Sequence, residues 1–221
     1  MFRVITIERE YGCGGGSIAA QLADRLGWKL WDHLITEEVA RLAHVEPSAV
    51  RSCEERMDSR LYRLSKAFWR GSYERSSALG ASVFDTDRMM EMMQDITNRI
   101  AEQGNAVIVG RGAPYLLRQR PDAFHVFLYA PRAEKVRRTL AEGHSQFEAE
   151  ELVDLVDHER AAYIKHYFNT TWPTRSLYHL MLNTAMGDEA VIHTIENTMQ
   201  LVAGQPRATD FEHPKIPAGS R

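Results

Sequence analysis

The chain has 221 residues, with 44% hydrophobic and 26% charged residues, which is ordinary for a soluble globular protein. A chain of this length buries about 70% of its unfolded surface on folding, so its core needs neither disulfides nor a structural metal. The formal net charge of −3 gives no overall positive field, which argues against nucleic acid as a partner. Two cysteines are too few for a disulfide framework and suit a reducing compartment.

The N-terminal residues lead directly into an apolar strand, without the charged segment and small-residue cleavage site of a signal peptide. No apolar run approaches the ~20 residues that a membrane-spanning helix needs. We therefore expect a soluble, cytoplasmic protein with no membrane partner.

The first predicted elements are a strand and a helix. Residues 3–8 form a short β-branched run, which is typical of a strand. Ile18 and Leu22 lie at helical spacing within 16–26, and Gly27 should end that helix.

The rest of the chain alternates in the same way between apolar runs and amphipathic or capped helices. Strands are predicted at 28–32, 106–110, 124–130 and 179–184, and helices at 36–45, 85–103, 132–142, 146–168 and 187–203. Strands that alternate with helices predict a parallel sheet covered on both faces.

A glycine-rich stretch joins the first strand to the first helix, in the sequence ITIEREYGCGGGSIAAQLADRLG at 5–27. Backbone N–H groups in such a turn converge on an anion, and the helix N-terminus adds partial positive charge. The residues that would cradle a phosphate are Gly12, Cys13, Gly14, Gly15, Gly16 and Ser17.

This loop lacks the lysine of the usual phosphate-binding pattern, because Gly15 stands at its position. A tight turn without a ligand is one alternative. A dinucleotide-binding fingerprint is another, with Asp32 as the distal acid, although its third position falls on Ser17 and not on glycine or alanine. Arg9, at the end of the first strand, is a candidate replacement for the lysine, and a surface ion pair is its alternative role.

Five segments, in this order, resemble the cytidylate kinase-like family, a variant branch of the nucleoside monophosphate kinases. They are the glycine loop with Asp32 beyond it, GNAVIVGRGAPYLL at 104–117, FHVFLYAPRAEKVRR at 124–138, VDHERAAYIKHYFNTTW at 156–172 and YHLMLNT at 178–184. The Arg-Glu-Tyr and Gly-Gly pattern is typical of this branch, so the resemblance makes the absence of the lysine a property of the branch.

The resemblance implies a P-loop NTPase-type α/β fold, with a parallel sheet of about five strands and helices on both faces. It implies a single domain over 1–203, with a helical insertion at about 33–103 and a lid at about 139–170. Residues 204–221 contain three prolines and few apolar residues, which predicts a disordered tail.

The implied reaction is ATP-dependent phosphoryl transfer to a nucleoside monophosphate, with CMP or dCMP the expected acceptor. Mg²⁺ would accompany ATP, with Ser17 as its protein ligand. The monophosphate would be bound by Arg111, at the end of a buried strand, and Asp32 would line the same site. A structural arginine that bridges the sheet and a helix is the alternative for Arg111, and a helix N-cap for residues 33 onward is the alternative for Asp32. Ordinary cytidylate kinases follow this arginine with an aspartate, whereas Gly112 stands here, which leaves base and sugar specificity open.

Three arginines around the implied lid are candidates for stabilising the transferring phosphoryl group: Arg137, Arg138 and Arg160. Arg160 is favoured, because Asp157 lies three residues earlier and could orient it from the same helical face. Arg137 and Arg138 point to different faces, so we expect one of them at the site. A solvated helix charge is the alternative for each.

Residues 51–75 hold seven basic and four acidic residues among several aromatics. We interpret this stretch as the mobile monophosphate-binding insertion, with nucleic-acid binding and a homodimer surface as alternatives.

Two other functions stay open. A nucleotide-binding regulator with little turnover is favoured by the missing lysine. A kinase for another small phosphate acceptor is favoured by Gly112.

Overall fold

The computed structural model describes residues 1–32, 34, 35, 37, 38, 41 and 86–203, with side chains from residue 90 onward in the last range. Most of the predicted helix at 36–45, the basic stretch at 51–75 and the tail at 204–221 lie outside the described residues. Within the described residues, no helix is both long enough and apolar enough to span a membrane.

The strands are β1 Val4–Arg9, β2 Lys29–Trp31, β3 Ala106–Val109, β4 Ala123–Tyr129 and β5 Leu180–Asn183. The helices labelled here are α1 Gly15–Leu26, α2 Thr86–Gln103, α3 Ala113–Leu116, α4 Arg132–Ala141, α5 Gln146–Phe168 and α6 Asp188–Ala203. Two short 3₁₀ turns occupy Arg175–Leu177 and Thr184–Met186.

The five strands form one parallel sheet in the order β2-β3-β1-β4-β5, which confirms the predicted fold class. β1 lies at the centre and pairs with β3 on one side and β4 on the other. Because all strands run the same way, the segments that follow them gather at one edge. In open α/β sheets this carboxyl edge is where ligands bind, beside the strand from which the connections diverge.

Helices cover both faces of the sheet, as the packing of β1 illustrates. Its Ile5 and Ile7 pack in the cluster formed with α1 and α6, whereas Val4 packs with Met93 and other residues of α2 on the opposite face. A third cluster, around Phe127, joins this second face to the C-terminal part of α5. The sheet is therefore buried on both sides, as a parallel sheet requires.

Local chemistry explains where α5 begins and ends. The Ser145 hydroxyl accepts from the Glu148 N–H, and the Glu148 carboxylate accepts from the Ser145 N–H, which forms a capping box. Asn169 ends the helix in the left-handed region, with φ of 48°. The predicted bounds of 146–168 are confirmed.

β3 ends one residue earlier than predicted, because the chain turns sharply after Val109. Gly110, Arg111 and Gly112 all have positive φ, at 70°, 54° and 68°. Gly112 then starts α3, and a Cβ atom on it would lie 2.6 Å from the Phe168 ring. The aspartate of ordinary cytidylate kinases therefore has no room at this position, for backbone and packing reasons together.

We expect Gly112→Ala to destabilise the protein by about 3 kcal/mol, because it adds both left-handed strain and overlap with Phe168. Gly27→Ala is the matched control, since Gly27 has φ of 63° and nothing within 4 Å of the added Cβ. It should lose about 1 kcal/mol. Urea unfolding of both variants measures the difference, and equal losses would show that the Phe168 contact contributes nothing.

Candidate active site

The glycine loop leaves β1 at the carboxyl edge and enters α1 without a side-chain cap. Gly14 precedes the helix with φ of 79° and has no side chain to cap the first turn. Gly16 and Ser17 are exposed there, and a Cβ on Gly16 would meet nothing within 4 Å. The N-terminus of α1 is thus open for an anion to approach its N–H groups.

Gly12 and Gly14 are required by the close approach of α4. A Cβ on Gly12 would lie 2.9 Å from the Lys135 carbonyl oxygen, and its φ is 71°. A Cβ on Gly14 would overlap the Arg138 guanidinium. The Cys13 side chain packs in the core, where burial raises the pKa of its thiol, so the stretch from Gly12 to Gly16 presents only its backbone.

Arg9 occupies the space that a side chain at Gly15 would need. A Cβ there would lie 2.9 Å from Arg9 Cβ and 3.1 Å from Arg9 Cγ. The stem of Arg9 therefore runs along the start of α1, and its guanidinium reaches to 3.9 Å from Asp32 Oδ1. The structure places Arg9 where a loop lysine would otherwise pass.

Arg111 and Asp32 meet at the same edge. Arg111 Nη1 donates to the Asp32 backbone carbonyl at 2.6 Å and lies 3.5 Å from Asp32 Oδ1. The Asp32 carboxylate thus faces two guanidinium groups, those of Arg9 and Arg111. Its backbone carbonyl also accepts from the Ile35 N–H, at the start of the following segment.

Arg160 joins this group from α5. Its Nη1 donates to the Arg9 carbonyl at 2.7 Å, and Asp157 Oδ1 lies 3.5 Å from the same nitrogen. Asp157 thus contacts Arg160 from three residues earlier on the helix, as its spacing predicts. Burial lowers the pKa of Arg9, and the charges of Arg160 and Arg111 lower it further, against the influence of Asp32. Three like charges this close favour an anionic ligand among them.

A buried lysine that the sequence analysis did not single out ties α4 and α5 to the loop. Lys135 Nζ lies 2.9 Å from Asp157 Oδ2 and 3.0 Å from Glu10 Oε2, with the side chain only 10% exposed. Asp157 Oδ1 also accepts from the Tyr11 N–H at 2.7 Å. Burial acts to lower the pKa of Lys135, but the hydrogen bonds to Asp157 and Glu10 outweigh it and raise the pKa.

The structure separates the adjacent Arg137 and Arg138. Arg137 is 67% exposed and pairs with Glu134 on its own helix, away from the loop. Arg138 lies against the loop, where its Nη1 donates to the Cys13 carbonyl at 3.1 Å. Arg9, Arg111 and Arg160 are therefore brought together with Asp32, and Arg137 is not.

We expect Asp157→Asn to destabilise the protein by about 2 kcal/mol, because Lys135 loses one of its two partly buried carboxylate partners. Asp154→Asn, one turn earlier on α5, is the control. Asp154 is 63% exposed and pairs with Arg132 at the surface, so its change should stay below about 0.5 kcal/mol. Equal urea midpoints for the two variants would contradict the role of the buried network.

Comparison with known proteins agrees with the fold described above. The model of the cytidylate kinase-like family matches residues 4–186. No curated protein matches the chain by sequence. An uncharacterized protein from Eubacterium ventriosum ATCC 27560 shares the fold at 18% identity and a TM-score of 0.58, over 87% of this chain and 98% of that one.

A shikimate kinase from Acinetobacter baumannii, solved in complex with shikimate, is 17% identical over 92% of this chain and 94% of that one, with a TM-score of 0.47. The family match spans all five strands and the site described above. It supports a phosphotransferase. The chain belongs to the cytidylate kinase-like family.

Proposed function

We propose that the protein transfers the γ-phosphoryl group of ATP to a nucleoside monophosphate, with CMP and dCMP as the first candidates. The observation that carries this proposal is the meeting of Arg9, Arg111 and Arg160 beside an uncapped helix N-terminus. Phosphoryl transfer depends mainly on positioning and on neutralising phosphate charge, and this edge offers both.

The donor phosphates would bind over the start of α1. Gly16 and Ser17 of its first turn are exposed, and Arg9 would supply the cation that Gly15 lacks. An arginine forks onto two oxygens, so its contact would differ in geometry from that of a lysine. Arg160, bonded to the Arg9 carbonyl, is close enough to act on the same phosphates.

The loop suits Mg²⁺ as a partner of ATP, with Ser17 as its protein ligand. Mg²⁺ commonly takes one or two protein oxygens and completes its shell with water and substrate phosphates. The exposed Ser17 hydroxyl accepts a hydrogen bond from Gln21 Nε2, one turn later on the same helix, at 3.0 Å. Across residues 1–32 and 90–203, no group of three or more His, Cys, Asp or Glu side chains forms an alternative metal site. Bound Mg²⁺ would neutralise donor phosphate charge.

The acceptor phosphate would bind at Arg111 and Arg9, where Asp32 now faces both guanidinium groups. Arg111 adopts positive φ, which costs free energy for a non-glycine residue and is common at ligand sites. A phosphate dianion offers these arginines oxygens with bidentate geometry, which a carboxylate at 3.5–3.9 Å does not provide.

Two further functions are each supported by one observation. Gly15 favours a nucleotide-binding regulator with little turnover, because the loop has no lysine. Gly112 favours a kinase for another small phosphate acceptor, because Phe168 fills the position of the missing aspartate.

The deciding experiment measures ADP release from the purified protein with Mg·ATP and CMP, dCMP, UMP, AMP, GMP or no acceptor. We expect CMP or dCMP to stimulate release well above the no-acceptor control. Binding of ATP without stimulation by any of these nucleotides would overturn the proposed reaction and favour the regulator or another acceptor.

We expect Arg9→Ala to lower turnover about 100-fold, since it removes a cation from the transferring phosphate. Gly15→Lys alone should also lower turnover, because its side chain overlaps the stem of Arg9. The double variant should recover part of the loss, since the lysine gains the space that Arg9 vacates.

Arg25→Ala serves as the control for these variants, because Arg25 lies on α1, the helix that begins at Gly15, and pairs with Glu189 at the surface. The turnover of all four variants is measured as ADP release under saturating acceptor. Unchanged ATP affinity and turnover in Arg9→Ala would refute the replacement of the lysine by Arg9.

A further inference from the structure

Arg138 bonds to two backbone carbonyls that belong to different parts of the fold. Its Nη1 donates to the Cys13 carbonyl in the glycine loop at 3.1 Å, and its Nη2 donates to the Thr184 carbonyl at the end of β5 at 3.2 Å. Its Nε donates to Glu134 at 2.8 Å, and Asp188 Oδ1 lies 3.4 Å from Nη1. One guanidinium thus joins α4, the glycine loop and the segment that leads into α6.

The Cys13 carbonyl receives a second donor from the same segment. The Thr184 hydroxyl donates to it at 2.7 Å and is fully buried with its residue. Gly14, directly after this carbonyl, lies so close to the Arg138 guanidinium that any Cβ would overlap it. The peptide that sets the direction of the loop into α1 is therefore fixed from outside the loop.

The bonding of Arg138 argues against a direct part in phosphoryl transfer. Its Nε, Nη1 and Nη2 all have acceptors within the protein, and its side chain is 20% exposed. These contacts engage four of the five guanidinium N–H groups, which leaves one Nη2–H for a phosphate. Arg9 and Arg160, by contrast, lie on the side of the loop where Asp32 and Arg111 gather.

We propose that Arg138 is a positioning residue for the donor nucleotide, which holds the phosphate-binding loop in its binding geometry by tying the Cys13 carbonyl to the end of β5. The inference rests on the proposed function, since it takes the loop as the ATP site. It differs from a lid role, in which an arginine contacts the transferring γ-phosphoryl group. A loop-positioning residue affects ADP and ATP equally, because both place phosphates on the loop.

Variants of Arg138 and Thr184 test this arrangement. Arg138→Ala removes both carbonyl bonds, yet Glu134 keeps its bidentate pair with Arg137, and Asp188 is one-third exposed to solvent. Arg138→Lys keeps the charge but cannot fork onto two carbonyls. Thr184→Val removes the other donor to the Cys13 carbonyl.

Arg132→Ala is the matched control, because Arg132 lies on α4 and pairs with Asp154 at the surface, 52% exposed. Each protein is titrated calorimetrically with Mg·ADP and with Mg·ATP, and its kcat and KM for ATP are measured with the best acceptor. Thermal unfolding without nucleotide shows whether each variant is folded.

We expect Arg138→Ala to weaken ADP and ATP binding by the same factor, about tenfold, which is the scale of one hydrogen bond to a charged group. KM for ATP should rise by that factor, and kcat at saturating ATP should fall less than about threefold. The nucleotide affinities of Arg138→Lys should lie between those of Arg138→Ala and the wild type. Thr184→Val should weaken ADP binding and ATP binding by the same factor. Arg132→Ala should bind both nucleotides as the wild type does.

A loss confined to ATP, or a fall in kcat with unchanged KM, would overturn the inference and assign Arg138 to the transferring phosphoryl group. Equal binding by folded Arg138→Ala and wild-type protein would also overturn it. If Arg138→Ala fails to fold, unaltered nucleotide binding by Thr184→Val overturns it instead. Failure of the wild-type protein to bind either nucleotide would overturn the proposed function and this inference together.

Discussion

The absence of room for side chains in the glycine loop is the constraint on which the site depends. Gly12 lies against the backbone of α4, Gly14 against the Arg138 guanidinium, and Gly15 against the stem of Arg9. Each contact would be lost or displaced if a Cβ were present. The loop is thus held from both sides, and only its outer edge, at Gly16 and Ser17, is open. This leaves the start of α1 accessible while its backbone is fixed.

The same close packing accounts for the missing lysine. A lysine at Gly15 and an arginine at position 9 compete for one volume, because Arg9 Cβ and Cγ would lie about 3 Å from the added Cβ. Arg9 is the last residue of the central strand, and from there its guanidinium reaches Asp32. On the proposed function, Arg9 would bring the positive charge to the loop from the side of β1. It would also join the proposed donor and acceptor sides through a single residue.

The charged side chains around the loop form two groups. Arg9 and Arg111 both face the Asp32 carboxylate on the open side, and Arg160 lies beside Arg9 while it pairs with Asp157. Lys135 lies between Glu10 and Asp157 on the side of α4 and α5, where its charge is matched by neighbouring acids. Arg160 and Asp157 belong to one helix, so a shift of α5 would affect both groups. The first group suits a phosphate, whereas the second stabilises the packing of the helices.

The sequence by itself determined the five strands, the long helices of the described residues and the glycine loop, because each rests on local patterns, but it did not predict the four-residue helix α3. The alternation of apolar runs with helical spacing specified the parallel sheet. The predicted start of α5 at residue 146 is confirmed, and the capping box that Ser145 and Glu148 form in the structure explains it. The acceptor, the donor contacts and the lid stay predictions. Arg111 and Asp32 were placed at one edge correctly, since both follow parallel strands.

Only the tertiary structure decided what distinguishes neighbouring residues of the same type. Arg137 and Arg138 are adjacent in sequence, yet one is exposed and the other bonds to the loop, because they lie on different faces of α4. Lys135 gave no signal in sequence, since its partners come from the loop and from α5, 125 positions before it and 22 after it. Spacing along the chain defines a helical face, but the partner of that face depends on how distant segments pack.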